Sequence, residues 1–456
     1  MKRHGTLVSL ILLAIGAVSA TTYAQTDAAG ATEPQPAATL FRNVRIFDGQ
    51  NSSSSTGNNV LVRGNLIERV STGDIESPAG ARVIDGGGRT LMPGLIDAHW
   101  HAMFVRPNFA SIQNPDVGFL NILATAEAHD TLMRGFTTVR DVGGSVFALK
   151  RAIDQKVVPG PRIFPSGAMI SVTSGHGDFR QSVDLPRAIG GTPTHMEQTG
   201  NVAIADTPDE VRVRVREQLM QGASQIKLTA GGGVSSPHSP LDVTTFTEAE
   251  LRAAVEAAEN WGTYVAVHAY TPQAVQRAIA AGVKCIEHGS LMDEETAKYM
   301  ASRDIWLSIQ PFPDELANAF PPNSEERRKA MEVFAGNDNA YALARKYKLK
   351  TAFGTDVLFS AALATRQGQI LASLSRWYSA PEILTMATST NAELLSLSGK
   401  RNPYPGALGV VREGAFADLI LVDGDPAADI GLVANPAKNF LVIMKDGVIY
   451  KDVQPQ

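Results

Sequence analysis

The 456-residue chain contains one cysteine, Cys285. That excludes an intrachain disulfide, a cysteine-rich zinc module and Cys-x-x-Cys redox chemistry. Neither sign of charge dominates. Lys and Arg number 41 against 46 Asp and Glu, a net charge of −5, and no basic cluster stands out. A nucleic-acid partner is therefore not expected. The apolar run at residues 7–18 spans only 12 residues, short of the ~20 that a membrane-spanning helix needs. No Gly-x-Ser-x-Gly elbow is present, so a serine hydrolase of that type is not indicated. What is present is ordinary globular composition, 44% hydrophobic and 19% charged. It provides for a large core and argues against a disordered or fibrous chain.

Residues 1–24 read as a cleavable secretory signal peptide. Lys2 and Arg3 precede the apolar run, and small residues follow it. Thr22-Tyr23-Ala24 suits cleavage before Gln25, with Val18-Ser19-Ala20 as a second candidate. Cleavage after Ala24 removes two basic residues and no acid, moving the net charge from −5 to −7. The expectation is an exported protein, periplasmic or secreted, with no membrane attachment after cleavage. Residues 25–39 read as a flexible lead-in.

Residues 40–47 (LFRNVRIF) and 60–70 (VLVRGNLIERV) alternate apolar with polar positions, as half-buried strands do. The Ser/Asn/Gly tract between them reads as a hairpin loop. Residues 82–92 supply another strand, and residues 416–422 and 440–450 two more, the last bent at Asp446-Gly447. The two flanks, 40–92 and 405–456, are expected to pair into one composite β-sandwich domain. The insert, 93–404, alternates short apolar runs with amphipathic helices. Eight runs begin at Leu95, Phe136, Arg162, Gln225, Tyr264, Cys285, Ile305 and Thr351. Helix starts are marked by Thr207-Pro208, by the capping box Thr247 to Glu250, and by Thr271-Pro272. Eight strands separated by helices predict an α/β fold, a (β/α)8 TIM barrel. A doubly wound sheet lacks its glycine-rich phosphate loop.

Barrel enzymes carry their chemistry at the C-terminal ends of the strands. Here those ends are polar. Strand one ends Asp97-Ala98-His99-Trp100-His101, strand four carries Lys227, and strand five ends in His268. Strand six ends Glu287-His288-Gly289, and strand eight ends Gly354-Thr355-Asp356. The i, i+2 spacing puts His99 and His101 on one face, a natural pair of nitrogen ligands for a metal such as zinc. Four of nine histidines fall at these ends. Lys227 lies between Ile226 and Leu228 and would be costly to bury alone. It either pairs with Asp356, reaches to the barrel mouth, or captures carbon dioxide as a carbamate bridging two metals; spacing does not separate these. Arg140-Asp141 reads as an ion pair beneath the site, and Gly231-Gly232-Gly233 as a loop admitting backbone close to the centre.

The set His99-x-His101, Lys227, His268, His288, Asp356 resembles the metal-dependent amidohydrolase superfamily. The resemblance covers nearly the whole mature chain and includes Pro93-Gly94-Leu95-Ile96-Asp97-Ala98-His99 and Gly414-x-x-Ala417-Asp418-Leu419. Gly135-Phe136-Thr137-Thr138-Val139-Arg140-Asp141, Lys227-Leu228-Thr229-Ala230-Gly231 and Val267-His268-Ala269-Tyr270 place it nearest the imidazolonepropionase-related, Xaa-Pro dipeptidase-like branch, which includes ochratoxin-hydrolysing amidohydrolases. The resemblance implies His99, His101 and Asp356 on one divalent metal and His268 and His288 on a second, zinc being favoured. Lys227 would bridge them as N6-carboxylysine. It implies Asp356 and Lys227 as catalytic groups, with Asp356 passing a proton to the leaving nitrogen. The implied activity is hydrolysis of an amide or peptide bond beside a C-terminal amino acid, as in carboxypeptidases and dipeptidases. Ochratoxin A, split to ochratoxin alpha and phenylalanine, would suit it. The alternative is a cyclic-amide hydrolase or deaminase of the same superfamily; a non-enzymatic binding protein would be expected to have lost ligand residues. The implied partner is a small-molecule or dipeptide-like substrate, and the implied assembly a homo-oligomer. Candidate substrate contacts are Tyr270, two residues beyond His268, and His176 in the loop 171–180. His238, after strand four, is another. Arg180 is expected beside His176 at the mouth, either able to hold an anion.

Overall fold

The computed structural model describes residues 37–51, 54–113, 116–312, 316–317 and 320–453. The signal-peptide reading and most of the lead-in fall on residues 1–36, outside the described residues. The chain enters with β1 (Ala38–Ile46), β2 (Ser55–Arg63), β3 (Leu66–Ser71), β4 (Arg82–Asp85) and β5 (Thr90–Pro93). Two expected strands are each divided. Residues 60–70 break at the two-residue turn Gly64-Asn65, where Gly64 takes φ +59, and glycine carries that left-handed backbone at no steric cost. Residues 82–92 break at Gly86-Gly87-Gly88, again with positive φ at Gly87 and Gly88. The polar tract read as a loop contributes the start of β2, which its exposed position at residues 55–57 permits.

Ten strands follow. β6 (Leu95–Trp100), β7 (Phe136–Asp141) and β8 (Arg162–Pro165) form one sheet. β9 (Met169–Ser171), β10 (Val202–Ile204), β11 (Ile226–Thr229), β12 (Val265–Ala269), β13 (Cys285–His288), β14 (Trp306–Ile309) and β15 (Thr351–Phe353) form another, in the order β10-β9-β11-β12-β13-β14-β15. Every neighbouring pair in both is parallel. These strands are buried at every residue rather than at alternate ones, as parallel strands covered on both faces must be. The expected third strand is divided into β8 and β9 because Gly167 turns the chain with φ +75, while Ser166 N–H bonds Asp141 O at 2.8 Å. β10 was not anticipated from the sequence. The helices start where the caps predict. Thr207, Thr247 and Thr271 each accept a backbone N–H at the N-terminus of Pro208–Gln221, Glu248–Asn260 and Pro272–Ala280.

The chain returns through β16 (Leu419–Val422), β17 (Phe440–Lys445) and β18 (Val448–Asp452). β16 pairs antiparallel with β5, Leu421 opposite Leu91. Both flanks thus share one eight-stranded sheet, β18-β17-β16-β5-β1-β2-β3, with β4 beside β1. Period-two alternation splits its apolar residues between two cores. Leu419, Leu421, Val442 and Met444 pack with Phe41, Val60 and Leu91. Ile420, Val422 and Ile443 point the other way, into the large core that also holds Leu95, Phe136 and Leu228. The architecture is mixed α/β, with two parallel sheets and the eight-stranded sheet of the flanks.

Two polar joints hold these layers. Asn391 Nδ2 donates to Ile96 O at 2.7 Å and Phe353 O at 2.8 Å, joining β6 to β15. Arg162, on β8, pairs with Asp418 at 2.9 Å and Asp446 at 2.7 Å, joining β8 to the C-terminal flank. Arg162 and Asp418 side chains are only 6% and 4% exposed. Arg162→Met leaves Asp418 buried and unpaired, which should cost about 3–5 kcal/mol of stability. Denaturant unfolding should show that loss, and a smaller one for Asp446→Asn, whose carboxylate is partly solvated.

Candidate metal centre

Parallel strands deliver their C-terminal ends to one side, and there the polar residues converge. His99 is the second-last residue of β6 with His101 just beyond the strand; Lys227 sits in β11, His268 in β12 and His288 at the end of β13. Asp356 lies three residues past β15. Register brings them level: Ala269 faces His288, and Thr229 faces His268. His288 and Asp356 both take left-handed backbone, φ +75 and +49, costing roughly 1–2 kcal/mol each in a non-glycine residue. All six side chains line one narrow cavity of about 40 Å³, with His176. His99, His101 and Asp356 offer ligand atoms within 4.8 Å of one another. Asp356 Oδ1 lies 3.4 Å from Nε2 of each histidine. His268 and His288 rings stack edge-on at 4.5 Å, and His99 and His288 lie 5.0 Å apart.

The histidines are prepared as ligands by what they touch on their far side. His99 Nδ1 bonds Glu287 Oε2 at 2.8 Å. His101 Nδ1 bonds Gly143 O at 3.0 Å, and His288 Nδ1 bonds Gln310 Oε1 at 2.6 Å. His268 is reversed, Nε2 bonding Gly232 O at 2.7 Å. Each of these partners is an acceptor, so the nitrogen facing it carries the proton. In the neutral rings that leaves lone pairs at Nε2 of His99 and His288 and at Nδ1 of His268, while Nε2 of His101 faces Asp356. Burial holds His99, His268 and His288 well below the usual histidine range, hence neutral. Such hydrogen-bonded neutral imidazoles are the form a metal takes.

Lys227 is 2% exposed, and its Nζ forms no hydrogen bond or ion pair among the described residues. Burial pushes its pKa down, against the opposing pull of Glu287 and Asp356. The pairing with Asp356 considered from the sequence is not made. A lone buried ammonium is costly; a neutral amine, or a carbamate between cations, is not. His99, His101 and Asp356 therefore fit a metal ion, and His268, His288 and Lys227 line the same cavity.

Several sequence readings are redirected. Arg140 does not pair with Asp141. Its guanidinium reaches Glu287 at 2.6 Å, both side chains wholly buried, and donates to Ala98 O at 2.6 Å. Asp141 instead accepts the N–H groups of Ala102 and Gly143. No sequence signal marks Gln310 or Ser236; Glu287 alone stands out, as a charge inside an apolar strand. Tyr270 stands 4.6 Å from His268 and 5.2 Å from His288, its hydroxyl held neutral by burial. His176 packs on His268 at 4.4 Å and is pushed down to about 3 by burial. Its Nδ1 lies 2.8 Å from Ser236 Oγ, which also accepts Gly177 N–H at 2.9 Å. The serine hydroxyl can also donate to Nδ1, the arrangement in which the ring proton sits on Nε2. Arg180 is not at this cavity; it is paired with Asp178 and lines a separate pocket beyond Phe179. His238 is exposed and lines neither site cavity, while its carbonyl accepts Ser174 Oγ at 2.9 Å. The glycines do admit close backbone: a Cβ at Gly233 would fall 1.9 Å from the His176 ring.

An apolar chamber of about 550 Å³ shares His176, Ser235, His268, Asp356, Leu358 and Phe359 with the narrow cavity. Tyr270, His176, His268 and Asp356 stand at its inner end, and Phe109, Phe312, Phe334 and Phe359 form much of its wall.

The amidohydrolase family model matches residues 90–451. An ochratoxinase of Aspergillus niger is 29% identical over 379 residues, covering 79% of this chain and 75% of its own. A prolidase crystallised with N-methylphosphonate-L-proline superposes with a TM-score of 0.84 at 33% identity, over 91% of this chain and all of its own. A Xaa-Pro dipeptidase with methionine in its active site superposes at 0.78 and 31% identity, over 91% of this chain and all of its own.

Gly354 decides how closely β15 approaches the histidine strand. A Cβ there would lie 2.4 Å from His99 Cβ and 2.6 Å from its nitrogen. Gly354→Ala should therefore cost about 1–3 kcal/mol, seen as a lowered thermal midpoint. Gly73→Ala, whose Cβ meets only Ser71 Oγ at 3.6 Å, should leave it unchanged.

Proposed function

The chain belongs to the amidohydrolase family, a hydrolase family acting on C–N bonds and generally metal-dependent, and on that premise we propose that it is a binuclear zinc hydrolase cleaving amides beside a C-terminal amino acid. One observation carries the reading: four imidazoles with committed far-side nitrogens, an unpartnered buried lysine and Asp356 converge on one pocket. His99, His101 and Asp356 would hold one metal and His268 and His288 the other. Lys227 would bridge them, its neutral amine adding to carbon dioxide and shedding a proton. Two close cations supply Lewis acidity to the carbonyl and lower the pKa of water.

The chain's own groups do the rest. Asp356, between His99 and His101, takes the proton of the attacking water and delivers it to the leaving nitrogen. Tyr270 donates its hydroxyl to the oxygen on which charge develops. His176 offers Nε2–H to the carboxylate of the leaving amino acid. The aromatic chamber receives an apolar acyl group, which suits ochratoxin A as one substrate. The parallel strands read as a (β/α)8 barrel closed through the Asn391 joint, with the flanking sheet folded as a β-sandwich beside it. Export as a homo-oligomer completes the proposal.

Chelation should abolish amide hydrolysis, and zinc should restore it with two metals per chain. Lys227→Ala should lose most activity and the second metal, read by elemental analysis alongside rate. One metal per chain with deamination in place of hydrolysis would replace this reading with the deaminase one. For specificity, converting the substrate carboxylate to a carboxamide should cut kcat/KM by at least ~10-fold, one contact to a charged group. His176→Ala should feel that change less, because the discriminating donor is already gone. Equal rates on acid and carboxamide would make the protein a general amidase.

A further inference from the structure

Lys329, on the helix Glu325–Lys346, is 1% exposed. Its Nζ donates to Ser239 O at 3.0 Å, Ser236 O at 3.1 Å and Gly233 O at 3.4 Å. An ammonium has three donors, and three carbonyls take them. The nearest carboxylate, Glu325 at 3.6 Å, is half exposed. All three carbonyls belong to one loop, the segment that follows β11. A loop that turns its carbonyls inward has no sheet to satisfy them, and an unpaired buried carbonyl is costly. Lysine here acts as a resident cation around which the loop is wound. A methionine would fill the same volume and leave the carbonyls without donors.

That loop is the one that shapes the substrate side of the centre. Gly232 O fixes His268. Val234, Ser235 and Pro237 line the aromatic chamber. The hydroxyl of Ser236, whose own carbonyl Lys329 holds, meets both His176 Nδ1 and Gly177 N–H. Ser174 Oγ bonds His238 O and ties the loop a second time to the segment carrying His176. We propose that Lys329 is a positioning residue for the substrate pocket: its ammonium gathers the carbonyls of Gly233, Ser236 and Ser239, and so holds the loop whose Ser236 orients His176. The effect on selectivity rests on the reading of His176 as the carboxylate contact; the holding of the loop does not.

The test uses the full-length, metal-loaded enzyme with Lys329→Met, Lys329→Ala and Ser236→Ala. Hydrogen exchange read by mass spectrometry should rise at least ~10-fold in segments 174–180 and 231–240 of Lys329→Met, about the loss of one hydrogen bond to a charged group. Exchange in β13 should not change. With metal content unaltered, the acid-over-carboxamide preference should fall toward one in both Lys329→Met and Ser236→Ala. Propylammonium replaces the atoms missing in Lys329→Ala and should restore the preference saturably, whereas tetramethylammonium, which has no N–H, should not. Unchanged exchange, an unchanged preference in Ser236→Ala, or equal response to both cations would overturn the proposal. Should Lys329→Met fail to fold, Ser236→Ala and the rescue of Lys329→Ala decide it. Should the unmodified enzyme show no acid preference, the proposed function fails, and the exchange data alone judge the loop.

Discussion

The wholly buried pair of Arg140 and Glu287 organises the centre of the molecule. Arg140, from β7, reaches the Ala98 carbonyl of β6, the Tyr264 hydroxyl at 3.1 Å ahead of β12, Glu287 of β13 and the Ser308 hydroxyl of β14. One guanidinium thus contacts the parallel strands from several sides at once. Its planar fork and fixed charge suit this better than a lysine would. Glu287 completes the arrangement by spending one oxygen on Arg140 and the other on His99 Nδ1. A buried charge pair is weak evidence for net stability, yet removing either partner is severe. Here it also hydrogen-bonds a histidine of the site cavity, so the interior of the parallel strands and the site are one network.

The same logic recurs in a second layer. None of the site histidines is held by packing alone. His101 leans on the Gly143 carbonyl, His288 on Gln310, His268 on the Gly232 carbonyl and His176 on Ser236. Gln310 is itself anchored, its carbonyl accepting Asn337 Nδ2 at 3.1 Å from the helix Glu325–Lys346. That helix also supplies Lys329. A helix on the outside of the sheet therefore reaches both sides of the pocket, through Gln310 to His288 and through the loop after β11 to His176. Ligands held this way lose little freedom when an ion or substrate arrives.

The pocket itself is asymmetric. Polar groups crowd the narrow end, where His99, His101, Lys227 and Asp356 meet, while the chamber beyond is walled by phenylalanines. Phe109 makes edge contacts with Phe179 at 5.0 Å and with Phe359 at 5.5 Å, so the wall is a packed aromatic array rather than scattered rings. Displacing water from the apolar end favours binding in proportion to the area covered.

Much of this was legible in the residues. Polar side chains at the ends of apolar runs are improbable in a core, and so His99, His101, Lys227, His268, His288 and Asp356 could be picked out and are gathered by the fold. Threonine caps placed helix starts because their physics is local. Local signals also misled. Gly64, Gly87 and Gly167 divided strands that apolar continuity had joined, because at those points the left-handed backbone turns the chain, whereas the left-handed Asn43 and Gly57 stay within β1 and β2. Arg180 and His238 sit close to the site in sequence, but Asp178 claims the first and solvent the second. The hydrogen-bond partners of Arg140, of Lys329 and of every site histidine lie far away in the chain or on backbone carbonyls. Composition and periodicity determined what kinds of elements form and which side chains stand at their ends. Only the tertiary structure decided which of those groups face each other, because hydrogen bonds between distant strands and loops exist once the strands are side by side and leave no pattern along the chain.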